Sequence, residues 1–428
     1  MLKRFVTNYI KTIRDFSPNA RLYLQANFLI GLGYAMVGVI FNLYLKEAGF
    51  QEGFIGGMLS LSGLAFGLFA IPAAMYSDKA GRKRSMLGAS FLGSLFLLVR
   101  ALTVSKGLLV SSSFLGGLAV TVYTISTAPF MMENSRPGER TYLFSLSFAV
   151  TLLAGVLGSL AGGKLPEILG LLIKIPNELW FYRITLVAGS AMAFASLYPL
   201  SRMTEIPAAG KDDAGPIWGG NKKDWELIGK FSWCNLWVGL GAGLVIPFFN
   251  LYFAQRFHST SGQIGVYFSV AQVATALAVM AGPQLAKKMG KVRTVVLMEL
   301  LSLPFLVTLG AVDNFLTLAV LAFWMRASLM QMSSPISNAF TMEVLPQKMR
   351  ATANSITAMA WNLSWALSTA FSGWMMQRYG YSVPYYLTAF CYAVSAVSYY
   401  LFFVKVEKNL ARNPGQTPAL VLGGLSNG

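Results

Sequence analysis

Three ionisable side chains stand inside long apolar runs of this 428-residue chain: Arg100, Glu299 and Arg326. In hydrocarbon such groups are costly, and they mark ion paths, proton relays or ligand contacts. Glu299 comes 14 residues before Asp313 and Arg326 comes 13 after it. If Asp313 marks the turn of a helical hairpin, both lie about 20 Å down it, at roughly 1.5 Å per residue. At one depth they can form a structural ion pair if they share a face. Arg100 stands near the end of its run, where a long side chain can snorkel to water. Other chemistry has little to draw on. There are one histidine and two cysteines, no paired carboxylates within the runs, and no Gly-x-x-x-x-Gly-Lys-[Ser/Thr] loop. Cys234 and Cys391 fall in apolar runs and read as buried thiols. No enzyme activity, metal site or cofactor is expected.

The elements that hold these charges are legible in the composition. Hydrophobic residues make up 55% of the chain and charged residues 12%, about half the charge of ordinary soluble domains, which carry roughly 25%. A soluble surface cannot be built from so few charges. Twelve runs are long and apolar enough to span a bilayer: 22–45, 54–76, 85–104, 107–129, 142–163, 181–201, 229–253, 262–285, 292–311, 315–338, 352–376 and 383–404. None alternates as barrel strands would, so they read as twelve helices, spans 1 to 12. The net charge of +17 would suggest nucleic acid in a soluble protein. Here it sorts by side. Of 34 Lys and Arg, 25 fall on the face that holds both termini and 7 on the other, with Arg100 and Arg326 left inside spans. That bias predicts cytoplasmic termini and an inner or plasma membrane location. Residues 1–21 lack a continuous apolar core and a cleavage site; they read as an amphipathic segment on the inner leaflet or a plain tail.

The chain also repeats. Phe41-Asn-Leu-Tyr44 returns as Phe249-Asn-Leu-Tyr252, Ile55-Gly56 as Ile264-Gly265, Gly81 as Gly290, Glu133 as Glu343 and Arg140 as Arg350, at offsets of 208 to 210. Two six-helix bundles of like topology are expected, 22–201 and 227–405, joined by a polar cytoplasmic linker, 202–226, with a tail at 406–428. The fold class expected is all-α and polytopic.

Residues 74–84 read Ala-Met-Tyr-Ser-Asp-Lys-Ala-Gly-Arg-Lys-Arg. This loop between spans 2 and 3 resembles the Gly-x-x-x-Asp-[Arg/Lys]-x-Gly-Arg-[Arg/Lys] signature of the major facilitator superfamily, with Ala74 in place of the first glycine. In the second copy Lys287 stands where Asp78 does. With twelve spans and a half-chain repeat, the resemblance covers nearly the whole chain. It implies alternating access by two rocking bundles. It also implies a cytoplasmic gate built from Asp78, Lys79, Gly81, Arg82, Glu133, Arg140, Glu343 and Arg350, in which each glutamate can pair with the arginine seven residues on. Spans 1, 4, 7 and 10 line the cavity in that family. This puts Asn27, Tyr34, Asn42, Tyr123, Asn235, Trp237, Asn250, Trp324, Arg326 and Gln331 at a candidate solute site, with Asn362 from span 11. Arg326 would then meet an anionic or polar solute group, and Glu299 would carry a coupling proton. Gly155 and Gly158-Ser-Leu-Ala-Gly162-Gly163 partly resemble the span 5 antiporter signature, but small residues at this spacing also serve tight helix crossing. The span 4 arginine of proton-coupled drug antiporters has no counterpart, since Gly116 and Gly117 stand in that region.

The expected function is therefore secondary transport of a small solute, first as proton-coupled export of an amphipathic or anionic compound. Uptake or facilitated diffusion of a sugar, organic anion or lysolipid is the alternative, and a non-transporting membrane receptor is the alternative of another class. Expected partners are the solute, protons and membrane lipids; nucleic acid is not expected, and the chain reads as a monomer.

Overall fold

A computed structural model describes residues 16–136, 138–173, 177–205 and 220–412. The amphipathic reading of the first residues, most of the linker and the end of the tail lie outside them. Each expected span is a helix: Pro18–Glu47, Glu52–Ala80, Arg82–Leu102, Lys106–Glu133, Arg140–Leu172, Glu178–Arg202, Lys222–Phe257, Ser261–Met289, Lys291–Ala311, Leu316–Val344, Arg350–Tyr379 and Ser382–Arg412. Span 6 breaks at Ser196, and span 7 passes through a 3₁₀ turn at Ile246–Phe248. Span 1 starts where Ser17 accepts the Ala20 N–H and Pro18 takes the first helical position, a proline site that needs no donor. Eleven of the twelve are apolar enough by composition to cross a membrane. The exception is span 11, Arg350–Tyr379.

The reason for that exception is packing. On span 11 the hydroxyls of Thr369 and Ser372 donate to Gly243 O (3.1 Å) and Leu244 O (2.5 Å) of span 7, and Ser368 reaches Gly239 O at 3.5 Å. A Cβ on Gly239 would meet Ser364 Oγ at 2.2 Å and Trp361 O at 2.6 Å; one on Gly243 would meet Trp365 O at 2.5 Å. Span 11 gives up apolar surface to small hydroxyl residues that let two backbones touch and satisfy each other's polar groups. The first half has the matching contact between spans 1 and 5. There Cβ atoms on Gly158 and Gly162 would meet Leu32 O at 2.6 Å and Met36 O at 2.5 Å. The span 5 glycines are thus accounted for by packing.

The chain divides into two compact units: Met1–Phe50, Leu68–Lys211 and His258–Ser269 in one, and Gln51–Gly67, Asp212–Phe257 and Val270–Gly428 in the other. In the first, spans 5, 1, 6, 3 and 4 pack in succession; in the second, spans 11, 7, 12, 9 and 10 do the same. The start of span 8 belongs to the first unit. There Gly265 crosses Gly163, and Glu167 accepts the Gly262 N–H at 3.1 Å. The start of span 2 belongs to the second, where Gly56 crosses Gly373 and Glu52 accepts from Tyr381 at 3.1 Å. Turn geometry repeats as well. Gly81 (φ 92°) and Gly290 (φ 89°) share a left-handed conformation, as do Gly49 (φ 88°) and His258 (φ 51°), the last an uncommon place for a residue with a side chain.

Gly239→Val should lower the apparent unfolding temperature in detergent, at a cost of about 1–3 kcal/mol for overpacking. Gly229→Ala, on the same span with nothing within 4 Å of the new Cβ, should be neutral or stabilising by about 0.5–1 kcal/mol. Equal loss in both would show that the glycine contact is not what holds spans 7 and 11.

Candidate functional site

Span 1 presents Tyr23, Asn27, Tyr34 and Phe41 at spacings of four and seven residues, which places them on one helical face. The lower part of this face borders a cavity of about 310 Å³ between spans 1, 4 and 5, lined also by Tyr123, Ser147 and Thr151. Asn27 donates to Ser147 O (3.2 Å) and to Thr151 Oγ1 (3.0 Å), and Tyr23 shares a 3.0 Å hydrogen bond with Ser147. The Tyr123 hydroxyl is buried without a hydrogen-bond partner, and it lies within electrostatic reach of Tyr23 and Tyr34. The lining carries no charge.

Higher on the same face, Arg100 from span 3 lies over the Phe41 ring, 5.5 Å from its centroid. Arg100 is half-buried. Side chains on a helix point back toward its N-terminus, and Arg100 follows that direction, donating from Nε to Phe96 O at 3.2 Å. Its Nη2 approaches Gly116 on span 4, where a Cβ would stand 3.3 Å away.

In the second unit Arg326 is 4% exposed. It donates through Nη2 to the Tyr392 hydroxyl on span 12 and lies 5.7 Å from the Phe249 ring centroid. Its Nε and the Oε2 of Glu299 are buried without partners. Glu299, 5% exposed, faces Ser395, one turn beyond Tyr392 on span 12. No ion pair joins Glu299 and Arg326 among the described residues; each meets span 12 instead. Asp313 does lie in the turn between Ala311 and Leu316, but the two side chains do not pair.

The other expected cavity residues are dispersed in their roles. Asn235 and Asn362 donate to carbonyls of their own helices, Phe231 O and Ala358 O, each at 2.9 Å. Trp237 stacks edge-on against Trp233 and Phe390, at centroid distances of 5.8 and 6.1 Å. Asn42 and Asn250 are buried, at 4% and 2% exposure, while Trp324 is half-buried and Gln331 exposed.

At the loop ends, Arg82 pairs with Asp78, with Glu133 at 3.3 Å and with Ser77 Oγ at 2.9 Å. In the second half Lys291 pairs with Glu343. Thus the residue that opens span 3 or 9 meets the glutamate near the end of span 4 or 10. The expected pairing of each glutamate with the arginine seven residues on is not formed. Arg350 donates to Leu345 O at 3.3 Å, and the Nε of Arg140 is buried without a partner. Lys79 is exposed. Two carboxylates that sequence reading missed complete these corners. Glu205 accepts from Lys83 N and Arg84 N, both at 3.2 Å. Glu407 accepts from Lys291 N and, at 3.3 Å, Val292 N. Glu205 lies just beyond the last span of its half and Glu407 in the last turns of span 12, and each places a negative charge on orphan donors at a helix N-terminus. Their offset of 202 departs from the 208–210 register, which is why a search at the repeat period passes over them.

The sequence profile described as Major Facilitator Superfamily matches residues 24–233 and again 231–424, one copy per half. The chain belongs to the Major Facilitator Superfamily. Solved members share its fold. A bacterial homolog of the human lysosomal transporter Spinster, in an inward-facing and occupied conformation, is 15% identical with TM-score 0.74, over 90% of this chain and 97% of that one. The nucleoside transporter NupG is 15% identical with TM-score 0.71, over 90% and 98%. The human organic anion transporter MFSD10 is 16% identical with TM-score 0.59, over 89% and 99%. No curated protein sequence matches the chain. Membership makes it a multi-pass membrane protein of a secondary-transporter family, with the twelve-helix, two-bundle architecture.

Within this superfamily fold, the caps at Glu205 and Glu407 have a measurable weight. Glu407→Ala should lower stability by about 0.5–2 kcal/mol, the usual cost of losing a helix cap, and Glu407→Gln, which keeps an acceptor, by less. Unfolding temperatures in detergent report both; an unchanged temperature in Glu407→Ala would remove the cap from the account of this corner.

Proposed function

We propose that this chain is a proton-coupled secondary transporter that exports a small amphipathic or anionic solute by alternating access. The observation that carries this reading is the arrangement on span 12. Arg326 is held by Tyr392, while one turn away Glu299 leaves a carboxylate oxygen unpartnered. A proton gained or lost at Glu299 changes the field at Tyr392 and so the grip on Arg326, which links a proton to a solute contact. Solute sites in such folds lie near the midplane where repeated helices face a cavity, a geometry that suits the span 1 face and the side chain of Arg326. The similar solved structures include carriers described for nucleosides and for organic anions, so kinship leaves the solute class open and local chemistry must choose it. Asp78, with Arg82 and Glu133, acts as a cytoplasmic latch in this reading. A static receptor has no need of such a cluster. The protein works as a monomer in the inner or plasma membrane with both termini cytoplasmic.

Transport into proteoliposomes with and without a pH gradient tests the reading. The parent's rate should depend on pH and that of Glu299→Gln should not; identical pH profiles in the two would reject Glu299 as the coupling group. Asp78→Asn should insert normally and cycle at least several-fold more slowly, and full-rate transport in that variant would remove the latch.

A further inference from the structure

Arg326, which is buried, and Arg100, which is half-buried, occupy related places although they come from unrelated spans. Arg326 lies over Phe249 and Arg100 over Phe41, with guanidinium carbons 5.7 and 5.5 Å from the ring centroids. Phe41 and Phe249 are the same position of the Phe-Asn-Leu-Tyr repeat. By the repeat register of span 4 and span 10, the counterpart of Arg326 is Gly116, and the counterpart of Arg100 on span 9 is Leu309. Gly116 has no side chain to offer, and the space beside it is where Arg100 Nη2 comes to rest. The first half therefore has a guanidinium over its phenylalanine, supplied from span 3 instead of span 4.

We infer that Arg100, beside Tyr34 and Gly116, forms an anion-binding site that receives the acidic group of the transported solute. This rests on the carrier reading above and names the class of its solute: a small organic anion. Arg100 uses one of its five N–H groups on Phe96 O, and no carboxylate pairs with it among the described residues. Arg326 also lacks a carboxylate partner there. An uncompensated cation inside a bundle is costly, and a planar guanidinium with free paired donors matches a carboxylate or phosphate bidentately. Phe41 supports the cation through its ring face. Along the same face of span 1, Tyr34 lies in electrostatic reach of Arg100 and of Tyr123. Tyr123 lines the uncharged cavity with Asn27 and Thr151, further along span 1.

The test uses purified full-length protein and pairs of probes that differ in charge: benzoate, salicylate and 4-hydroxyphenylacetate, each beside its uncharged amide. Thermal stabilisation gives the affinities by mass action. At least one anion should bind about tenfold or more tightly than its amide. Arg100→Gln should abolish that preference and Arg100→Lys should keep part of it. Arg100→Leu with Gly116→Arg, which moves the guanidinium to span 4, should restore it. Equal stabilisation by anions and amides, no stabilisation by any anion, or an undiminished preference in Arg100→Gln overturns the proposal. So does a well-folded double variant that shows no return of preference. Counterflow of the same probes in proteoliposomes separates the two readings. Arg100-dependent binding without counterflow sinks the carrier and keeps the site; counterflow of neutral probes alone keeps the carrier and sinks the site.

Discussion

Backbone contact at glycine is the constraint on which the rest of this structure depends. Spans 1 and 5 touch at Gly158 and Gly162, and spans 7 and 11 at Gly239 and Gly243, so closely that no Cβ fits. Lipid offers no hydrophobic drive for helices to associate, so van der Waals contact and hydrogen bonds between backbones must supply it. Once Leu32 and Met36 are locked against span 5, the rotation of span 1 is fixed. Tyr23 and Asn27 then meet Ser147 and Thr151 of span 5, and Tyr34 and Phe41 continue the same row. The rigid contact has no chemistry of its own, but it decides where the chemistry points.

The repeat preserves positions more faithfully than it preserves residues. At the loop corners Arg82 and Lys291 meet Glu133 and Glu343, the same pair with a changed cation. The caps at Glu205 and Glu407 keep their function while slipping several residues in register. The guanidinium over the repeated phenylalanine changes span altogether. Each case retains a charge at a place in space and lets the sequence that delivers it vary. Electrostatics requires a charge within reach of its partner; it does not specify which backbone carries the side chain.

This explains which features were legible beforehand. Twelve helices, two halves and a charge cluster around Asp78 follow from apolar length, charge patterning and a nearly constant offset, all of which are one-dimensional properties. Span 11 was readable as a span even though its Ser and Thr residues lower its apolarity, because its length and place in the repeat were clear. Contacts between spans distant in sequence were less accessible. Depth along a hairpin placed Glu299 and Arg326 level with each other, but rotation about each helix sent both to span 12. Arg100 stands near a helix end, and the direction of its side chain, back along span 3 to Phe96 O, is a property of the fold that spacing does not give. The absence of an arginine at Gly116 looked like a missing group, when the group comes from the neighbouring helix.

The distribution of charge in the interior ties these points together. Arg100 in one unit and Arg326 in the other each lack a carboxylate partner among the described residues, and Glu299 forms no ion pair with Arg326. The hydrogen bond that Arg326 donates to Tyr392, contact with aromatic faces and helix carbonyls such as Phe96 O each reduce the cost of burying a guanidinium, but none cancels its charge. In the carrier proposed above, a proton at Glu299 is linked to a solute on Arg326 through the field at Tyr392, so that binding of either changes the cost of the other by the same amount. Such a link needs no direct contact between Glu299 and the solute. It needs only that the apolar packing around them keeps water from screening the charges, and the glycine-locked helices of that unit provide such packing.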